Sequence, residues 1–121
     1  MSIPTHVNLI DVGPRDGLQN EKQPVPADVK VELVHRLQAA GLREIEVTSY
    51  VSPKWVPQMA DNHEVMAGIQ RQSGVRYSVL TPNLKGFEAA VLDRPRRRRR
   101  SRPAGPAPRP QSLKNINCSI A

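Results

Sequence analysis

Three polar side chains near the start of the chain, Arg15, Asp16 and Gln19, have the types and spacing that could do chemistry. They follow an apolar run, residues 6–10, that is typical of a buried strand. α/β proteins place their chemistry in the turns at the carboxyl ends of such strands. An arginine beside an aspartate can hold an anionic oxygen and a cation in fixed relation, which a simple turn does not require. A charged loop with two glycines is the alternative, because a short motif alone is weak evidence.

A further polar residue, Glu46, is predicted to join this group. Residues 44–49 alternate apolar and polar side chains, which is the period of a strand and puts Glu46 and Thr48 on one face. If that face points inward, the ionised carboxylate needs a cation or a hydrogen-bond donor. Arg15, at the end of the neighbouring strand, is the predicted partner. The alternative is that Glu46 lies on an exposed edge.

The elements that must position these residues repeat as a strand and then a helix. Strands are predicted over residues 6–12, 44–49 and 75–81. Each is followed by an amphipathic pattern, and the predicted helix starts are Pro26, Asp61 and Pro82. The order βαβαβα indicates an α/β fold in which right-handed crossovers join parallel strands. The first strand is predicted to be buried on both faces, as parallel sheets require.

Side-chain patterns assign faces and ends to these helices. The residues of the first helix predicted to face water are Lys30, Glu32, His35 and Arg36. Gly41 ends that helix, and Asp61 with Glu64 has the spacing of a capping box at the start of the second. The residues predicted to face inward on the third helix are Leu84, Phe87 and Val91. Trp55, in the proline-rich loop before the second helix, is predicted to pack over the rim of the sheet.

The positive charge belongs to one segment. The formal net charge is +7, yet residues 1–93 carry nine Lys and Arg and all eleven Asp and Glu. The excess therefore follows residue 93, in an Arg/Pro-rich segment over residues 94–113. Its composition cannot form a core, so we predict a disordered basic tail.

The cysteine content indicates a reducing compartment, and the histidines show no pattern of a shared site. The single cysteine, Cys118, excludes an internal disulfide and is typical of the cytoplasm. No signal-peptide pattern and no run of about 18 apolar residues occurs, so no membrane partner is expected. His6, His35 and His63 are far apart in the sequence and are predicted to be structural or solvated.

Two segments, Asp11 to Lys22 and Glu46 to Asp61, resemble the hydroxymethylglutaryl-CoA lyases, and the second is the more specific. The resemblance implies a TIM (β/α)8 barrel, which takes roughly 250 residues, whereas this chain has 121. We therefore expect an N-terminal (β/α)3 portion of the barrel over residues 1–93. The likeness resumes at residues 114–121. An out-of-frame reading of GC-rich DNA between 94 and 113 would explain that gap, and the chain is then a frameshifted or truncated copy.

The resemblance also implies a reaction and roles. Family members cleave 3-hydroxy-3-methylglutaryl-CoA to acetyl-CoA and acetoacetate in leucine catabolism and ketone-body formation, a retro-Claisen step assisted by Mg²⁺ or Mn²⁺. Asp16 would be a metal ligand and possible proton acceptor, Arg15 would stabilise the thioester enolate, and Glu46 would orient Arg15. Gln19 and Ser49 would line the site for the acyl-CoA substrate. The full-length family member is expected to be a homo-oligomer.

The family's remaining ligands, a histidine pair and an asparagine, and its loop cysteine do not occur in the chain. The chain alone is therefore expected to be inactive. An acyl-CoA condensing synthase or carboxyltransferase of the same superfamily is one alternative. The other is a nucleic-acid-binding module that uses the arginine run to neutralise phosphates, which we consider the weaker interpretation because the family-like sequence resumes beyond that run.

Overall fold

The computed structural model describes residues 2–94 and the backbone of residues 116–120. The strands are β1 (Ile10–Asp11), β2 (Glu44–Ser49), β3 (Arg76–Thr81) and β4 (Ile116–Ile120). The helices are α1 (Ala27–Ala39), α2 (Asn62–Gly68) and α3 (Leu84–Leu92). A π-helical turn, Gly13–Gly17, follows β1, and a 3-10 turn, Pro57–Met59, precedes α2. Most of the predicted basic tail lies outside the described residues.

The described strands form one sheet in the order β1-β2-β3-β4. The pairs β1–β2 and β2–β3 are parallel, with Ile10 opposite Glu44 and Glu44 opposite Arg76. The predicted succession of three parallel strands, each followed by a helix, is confirmed. β4 pairs antiparallel with β3 and puts Thr81 opposite Ile116, so it covers the β3 edge of the sheet.

The prediction for the first strand is wrong in its length and burial. β1 has two residues instead of seven, and Val7, Leu9 and Ile10 expose 66, 69 and 51% of their surface. β1 stands at the end of the strand order and pairs only with β2 among the described strands. An edge strand lacks a hydrogen-bonded neighbour on one side, and the exposed side chains show that its faces are not both covered, whereas the prediction assumed burial on both faces.

The core lies between the sheet and the helices. Its buried residues are Val34, Ile45, Val47, Tyr50, Val65, Met66, Ile69, Tyr77, Val79 and Ala90. α1 contributes Val34, with Val31 and Leu37 packed against the cluster. The chain leaves α1 through Gly41 at φ 97°, a left-handed conformation that favours glycine and ends the helix as predicted. Pro26 is the residue before α1 and not its first residue.

Two helix predictions are corrected by tertiary contacts. Lys30, predicted to face water, is 3% exposed. Asp61 precedes α2 as predicted, but its side chain does not cap the helix. The two are ion-paired instead, with 2.7 Å between Lys30 Nζ and Asp61 Oδ1. α1 packs against α2 and its preceding loop, so a position that a helical pattern assigns to the surface becomes internal.

The inward face of α3 also differs from the prediction. Leu84 and Val91 are 57 and 43% exposed, whereas Gly86 and Ala90 are buried. At Gly86 a Cβ atom would lie 2.4 Å from the carbonyl oxygen of Tyr50, so only glycine permits this approach of α3 to the end of β2. The close approach makes the small residues the contact face.

The loop between β2 and α2 does not cover the sheet with its tryptophan. Trp55, predicted to pack over the rim, is 83% exposed. The loop is nevertheless ordered by its backbone, because Trp55 N and Val56 N both donate to Ser52 O, at 2.9 and 3.1 Å. A single buried side chain, Met59, anchors its 3-10 turn.

Candidate functional site

The site is built on the π turn that follows β1. Val12 O accepts hydrogen bonds from Arg15 N, Asp16 N and Gly17 N at 3.2, 2.7 and 3.3 Å. Asp11 Oδ1 accepts one from Gly13 N at 2.9 Å. These bonds close the turn at the carboxyl end of the strand, so the two charged side chains start from a fixed backbone. π-helical turns are rare and are found disproportionately at functional sites.

The predicted contact between Arg15 and Glu46 is present. Arg15 Nε donates a hydrogen bond to Glu46 Oε1 across the β1–β2 boundary. Glu46 is 3% exposed, which excludes the alternative that it lies on an exposed edge. Arg15 Nη1 also donates to Asp16 Oδ1 at 3.0 Å. One guanidinium therefore joins a buried carboxylate to a half-exposed one.

A β-bulge in β2 modifies the predicted alternation around Glu46. Glu46 lies opposite Ser78 and Thr48 lies opposite Val79, so Val47 is an extra residue in the ladder. All five residues from Ile45 to Ser49 are buried, including both Glu46 and Val47. Bulges bend a strand and re-aim its side chains, and they are common beside active sites.

Ser49 and Gln19 are near this group in the chain but make different contacts. Ser49 is 1% exposed, and its hydroxyl donates to Leu80 O at 3.3 Å. Its carbonyl accepts from Asn62 Nδ2 at 3.1 Å, which fixes the end of β2. Gln19 is half-buried in the turn after Gly17. The structure therefore joins Arg15, Asp16 and Glu46 directly, whereas the hydrogen bonds of Ser49 run to Leu80 and Asn62.

The described residues do not form a metal site by themselves. Within residues 2–94, no group of three or more His, Cys, Asp or Glu side chains is placed to hold a metal ion. The Asp16 side chain is 54% exposed, and its Oδ1 already accepts from Arg15. Asp16 is a hard oxygen donor of the kind Mg²⁺ and Mn²⁺ prefer, but a single ion-paired carboxylate is an incomplete ligand set.

The three histidines each have a protein partner, as predicted for structural or solvated residues. His6 Nε2 is 3.2 Å from Asn8 Oδ1, and His35 Nε2 accepts from Gln70 N at 2.8 Å. His63 Nδ1 contacts Asp93 Oδ2. None of the three lies beside Arg15 or Glu46.

A second polar cluster is formed around Tyr50, the residue that follows β2. Tyr50 donates to Asp93 Oδ2 at 2.5 Å, and its ring meets the His63 ring edge to face, with centroids 5.6 Å apart. Burial, and then the bond to Asp93, raises the pKa of Tyr50 well above its usual range. Burial lowers the pKa of Arg71 nearby. A cavity of about 270 Å³ between α2 and α3 adjoins this cluster and is lined by Tyr50 and His63.

The principal group has a definite chemical capacity. Arginine has five N–H donors, and Nε and Nη1 are used by Glu46 and Asp16. The Nη2 group has no protein partner within residues 2–94, so it can donate to an oxygen placed at the carboxyl edge of the sheet. Because Glu46 fixes the guanidinium, the donor is oriented before any ligand arrives, which is the condition for electrostatic stabilisation of a developing oxyanion.

Sequence reasoning missed one residue of this region, Lys30. It is buried next to the loop between β2 and α2. Its helical position alone indicated solvent exposure, and a lysine among charged neighbours gives no local signal of burial.

Parallel β/α units with charged side chains at the carboxyl ends of their strands define an α/β protein of the kind that places its chemistry at that edge, as TIM barrels and doubly wound sheets do. Residues 6–104 match the protein family described as HMGL-like, and the chain belongs to that family.

The relatives agree with this assignment. The chain is 55% identical to the cytoplasmic 3-hydroxy-3-methylglutaryl-CoA lyase of Mus musculus over 98% of its own length and 34% of that protein. It is also 55% identical to the 3-hydroxy-3-isohexenylglutaryl-CoA/hydroxy-methylglutaryl-CoA lyase of Pseudomonas aeruginosa, over 99% of this chain and 39% of that protein. The crystal structure of the hydroxymethylglutaryl-CoA lyase from Pseudomonas aeruginosa superimposes with a TM-score of 0.73 and 61% identity, covering 77% of this chain and 31% of that one.

The chain thus spans about a third of the length of the curated relatives it matches. Among the described helices, the longest has 13 residues, and none is long and apolar enough to cross a membrane.

Proposed function

We propose that the chain supplies the Arg15–Asp16–Glu46 part of a hydroxymethylglutaryl-CoA lyase site, which cleaves 3-hydroxy-3-methylglutaryl-CoA to acetyl-CoA and acetoacetate. The observation that carries the proposal is the Arg15 guanidinium, which is fixed by buried Glu46 and leaves Nη2 without a protein partner in the described part of the chain. In a retro-Claisen cleavage the thioester carbonyl becomes an enolate as the carbon–carbon bond breaks. A preoriented cation at that oxygen lowers the barrier.

The other residues have more limited roles in this proposal. Glu46 positions Arg15 and does not touch the substrate. Of the two carboxylates that contact Arg15, Asp16 is the exposed one, and we propose that it accepts the proton of the tertiary hydroxyl or binds a divalent cation. Gln19 follows Asp16, and Ser49 follows Glu46, by three residues, and both are proposed to contact the acyl-CoA substrate. Mg²⁺ or Mn²⁺ would need further ligands from outside the described residues, which offer only Asp16.

The group carried by the hydroxyl-bearing carbon of the substrate is a separate question from the reaction. The curated Pseudomonas relative has two substrates in its name, which differ in the size of the group on the hydroxyl-bearing carbon. The substrate class we propose is therefore a 3-hydroxyglutaryl-CoA with an alkyl or alkenyl group on the hydroxyl-bearing carbon, with the methyl compound as the first to test.

A chimeric enzyme tests the proposal directly. Residues 5–92 of this chain replace the matching segment of the Pseudomonas aeruginosa lyase, whose crystal structure superimposes on this chain. Acetyl-CoA, the product common to both reactions, is then measured with the methyl and the isohexenyl substrates, each with Mg²⁺ or Mn²⁺. The 121-residue chain is assayed in parallel, and we expect no turnover from it alone.

We expect the chimera to be active and Arg15→Gln to lower its turnover by roughly a hundredfold or more, the scale for losing an oxyanion donor. Arg36→Gln is the matched control, because the Arg36 side chain is 78% exposed on α1 and its ion pair, with Glu32, is exposed too. A well-folded chimera that is inactive, or one that tolerates Arg15→Gln as well as Arg36→Gln, would contradict the proposal.

A cytoplasmic location and a homo-oligomeric assembly stay predictions of the same proposal. Relatives carry both cytoplasmic and mitochondrial descriptions. Fractionation of cells that express the tagged chain would decide the first, and sedimentation of the chimera the second.

A further inference from the structure

We propose that Lys30 is a positioning residue that holds the β2–α2 loop, residues 51–60, against the site loop, residues 12–22. Lys30 lies on α1 and is 3% exposed, although it carries an ammonium group. Burying such a charge is costly unless it is paired and hydrogen-bonded. The partners of Lys30 show what this buried charge connects.

The ammonium group has two partners on the chain segment that enters α2. Lys30 Nζ donates to Gln58 O, in the 3-10 turn, and to Asp61 Oδ1 at 2.7 Å. Gln58 O belongs to the β2–α2 loop, and Asp61 is the residue before α2. One side chain of α1 therefore fixes the end of the β2–α2 loop.

Gln58 continues the connection to the site loop. Its side chain donates from Nε2 to Glu21 O at 3.0 Å. One residue earlier, Asn20 Nδ2 donates to Asp16 O at 3.0 Å. Hydrogen bonds thus connect Lys30 to Gln58 and Gln58 to the backbone of the site loop at Glu21. Within the site loop, the adjacent Asn20 is bonded to the backbone of Asp16.

The site loop needs such an external support. After the π turn, the bonds that close its backbone outside the helical residues are long ones, from Asn20 N to Gly17 O at 3.3 Å and from Glu21 N to Leu18 O at 3.2 Å. The next regular element, α1, begins at Ala27. The hydrogen bond from Gln58 Nε2 to Glu21 O connects residues 18–22 to the β2–α2 loop, a different part of the fold.

A merely structural role for Lys30 makes a different prediction. The Lys30–Asp61 pair could serve only to neutralise two charges, and replacing a buried ion pair by apolar residues of similar size is often neutral for stability. Such a replacement cannot donate to Gln58 O. The double variant Lys30→Met/Asp61→Leu therefore leaves no unpaired charge but removes the positioning bond to Gln58 O, which distinguishes the two roles.

Amide hydrogen exchange of the 121-residue chain, resolved by residue, measures the two effects together. The reporters of positioning are the amides of Asn20, Glu21, Met59 and Ala60, all of which donate within the two loops. The reporters of global stability are the amides of Tyr50 and Arg76, which donate to Leu80 O and Arg43 O at 2.9 and 2.8 Å.

In the double variant we expect exchange at the loop reporters to rise about tenfold, the scale of losing one charge-assisted hydrogen bond, with exchange at the stability reporters unchanged. Gln58→Leu should accelerate exchange at Asn20 and Glu21 alone, because it removes only the second link. Arg36→Met, on the exposed side of α1, should change neither set. Lys30→Met alone leaves Asp61 unpaired and is expected to raise exchange everywhere.

Three results would overturn the proposal. They are a double variant whose loop amides exchange like those of the parent chain, a double variant that does not fold, and a parent chain without protection at the loop reporters. The functional importance of the site loop rests on the proposed function. Amide exchange, however, is measured without any enzyme activity. An inactive chimera with the expected exchange pattern would therefore refute the lyase proposal and leave the positioning role intact.

Discussion

Replacing Arg15 by methionine tests whether Glu46 is a buried, ionised partner of the guanidinium. Methionine keeps much of the side-chain length and removes every donor. The Glu46 side chain is 4% exposed and that of Arg15 is 18% exposed, so the pair is largely shielded from water. The substitution therefore leaves a carboxylate in the interior without compensation.

The expected cost follows from that burial. Removing one partner of a buried pair typically lowers the free energy of unfolding by about 3–5 kcal/mol, a large share of the 5–15 kcal/mol that holds a typical domain folded. Removing both charges, in Arg15→Met/Glu46→Gln, should recover most of the loss, because no unpaired ion remains. Arg36→Met breaks a pair whose side chains are 78 and 60% exposed, and it should cost less than about 1 kcal/mol.

Urea unfolding followed by far-ultraviolet circular dichroism is the suitable assay. Trp55 is the single tryptophan and is 83% exposed, so its emission would change little on unfolding. If Arg15→Met is unfolded without urea, the double variant must regain the folded signal. An Arg15→Met variant as stable as Arg36→Met, or a double variant no more stable than Arg15→Met, would refute a buried ionic Glu46.

Three further predictions concern the junction of β2 and α3. Gly86→Ala should destabilise the chain by about 1–3 kcal/mol in the same urea assay, the scale of overpacking, because the new Cβ would lie 2.4 Å from Tyr50 O; Gly17→Ala, with no atom within 4 Å, is the control. Asn83 accepts from Gly86 N at 2.8 Å at the start of α3, so Asn83→Ala should cost about 1 kcal/mol, and no change would show that the cap is dispensable. Because the pKa of Tyr50 is raised in the folded chain, unfolding releases its proton above about pH 10, and stability should fall there by up to about 1.4 kcal/mol per pH unit. Urea midpoints at pH 9, 10 and 11 should show this part of the fall disappearing in Tyr50→Phe, and an identical pH dependence in both proteins would contradict it.

Local sequence was sufficient to predict the succession of elements. Strand and helix periodicities are set by neighbours a few residues apart, and each predicted strand and helix is present in the described part of the chain. The pairing of Arg15 with Glu46 was also predictable, because a general rule brings the carboxyl ends of adjacent parallel strands together. The roles of Asp16, Gln19 and Ser49 are predictions that only the chimera can test.

Tertiary packing decided what the patterns could not. β2 carries a bulge at Val47 and is buried on both faces, the approach of Gly86 to Tyr50 makes small residues the contact face of α3, and β1 at the sheet edge leaves Ile10 half exposed. Lys30 is the clearest case. A helical pattern shows which residues share a face, but which faces are covered depends on elements distant in the sequence, here the loop that ends at Asp61. The sequence by itself therefore determined the β/α order and the Arg15–Glu46 pair, whereas the burial of Lys30 and its hold on the site loop came from contacts between segments about 30 residues apart, which no local pattern encodes.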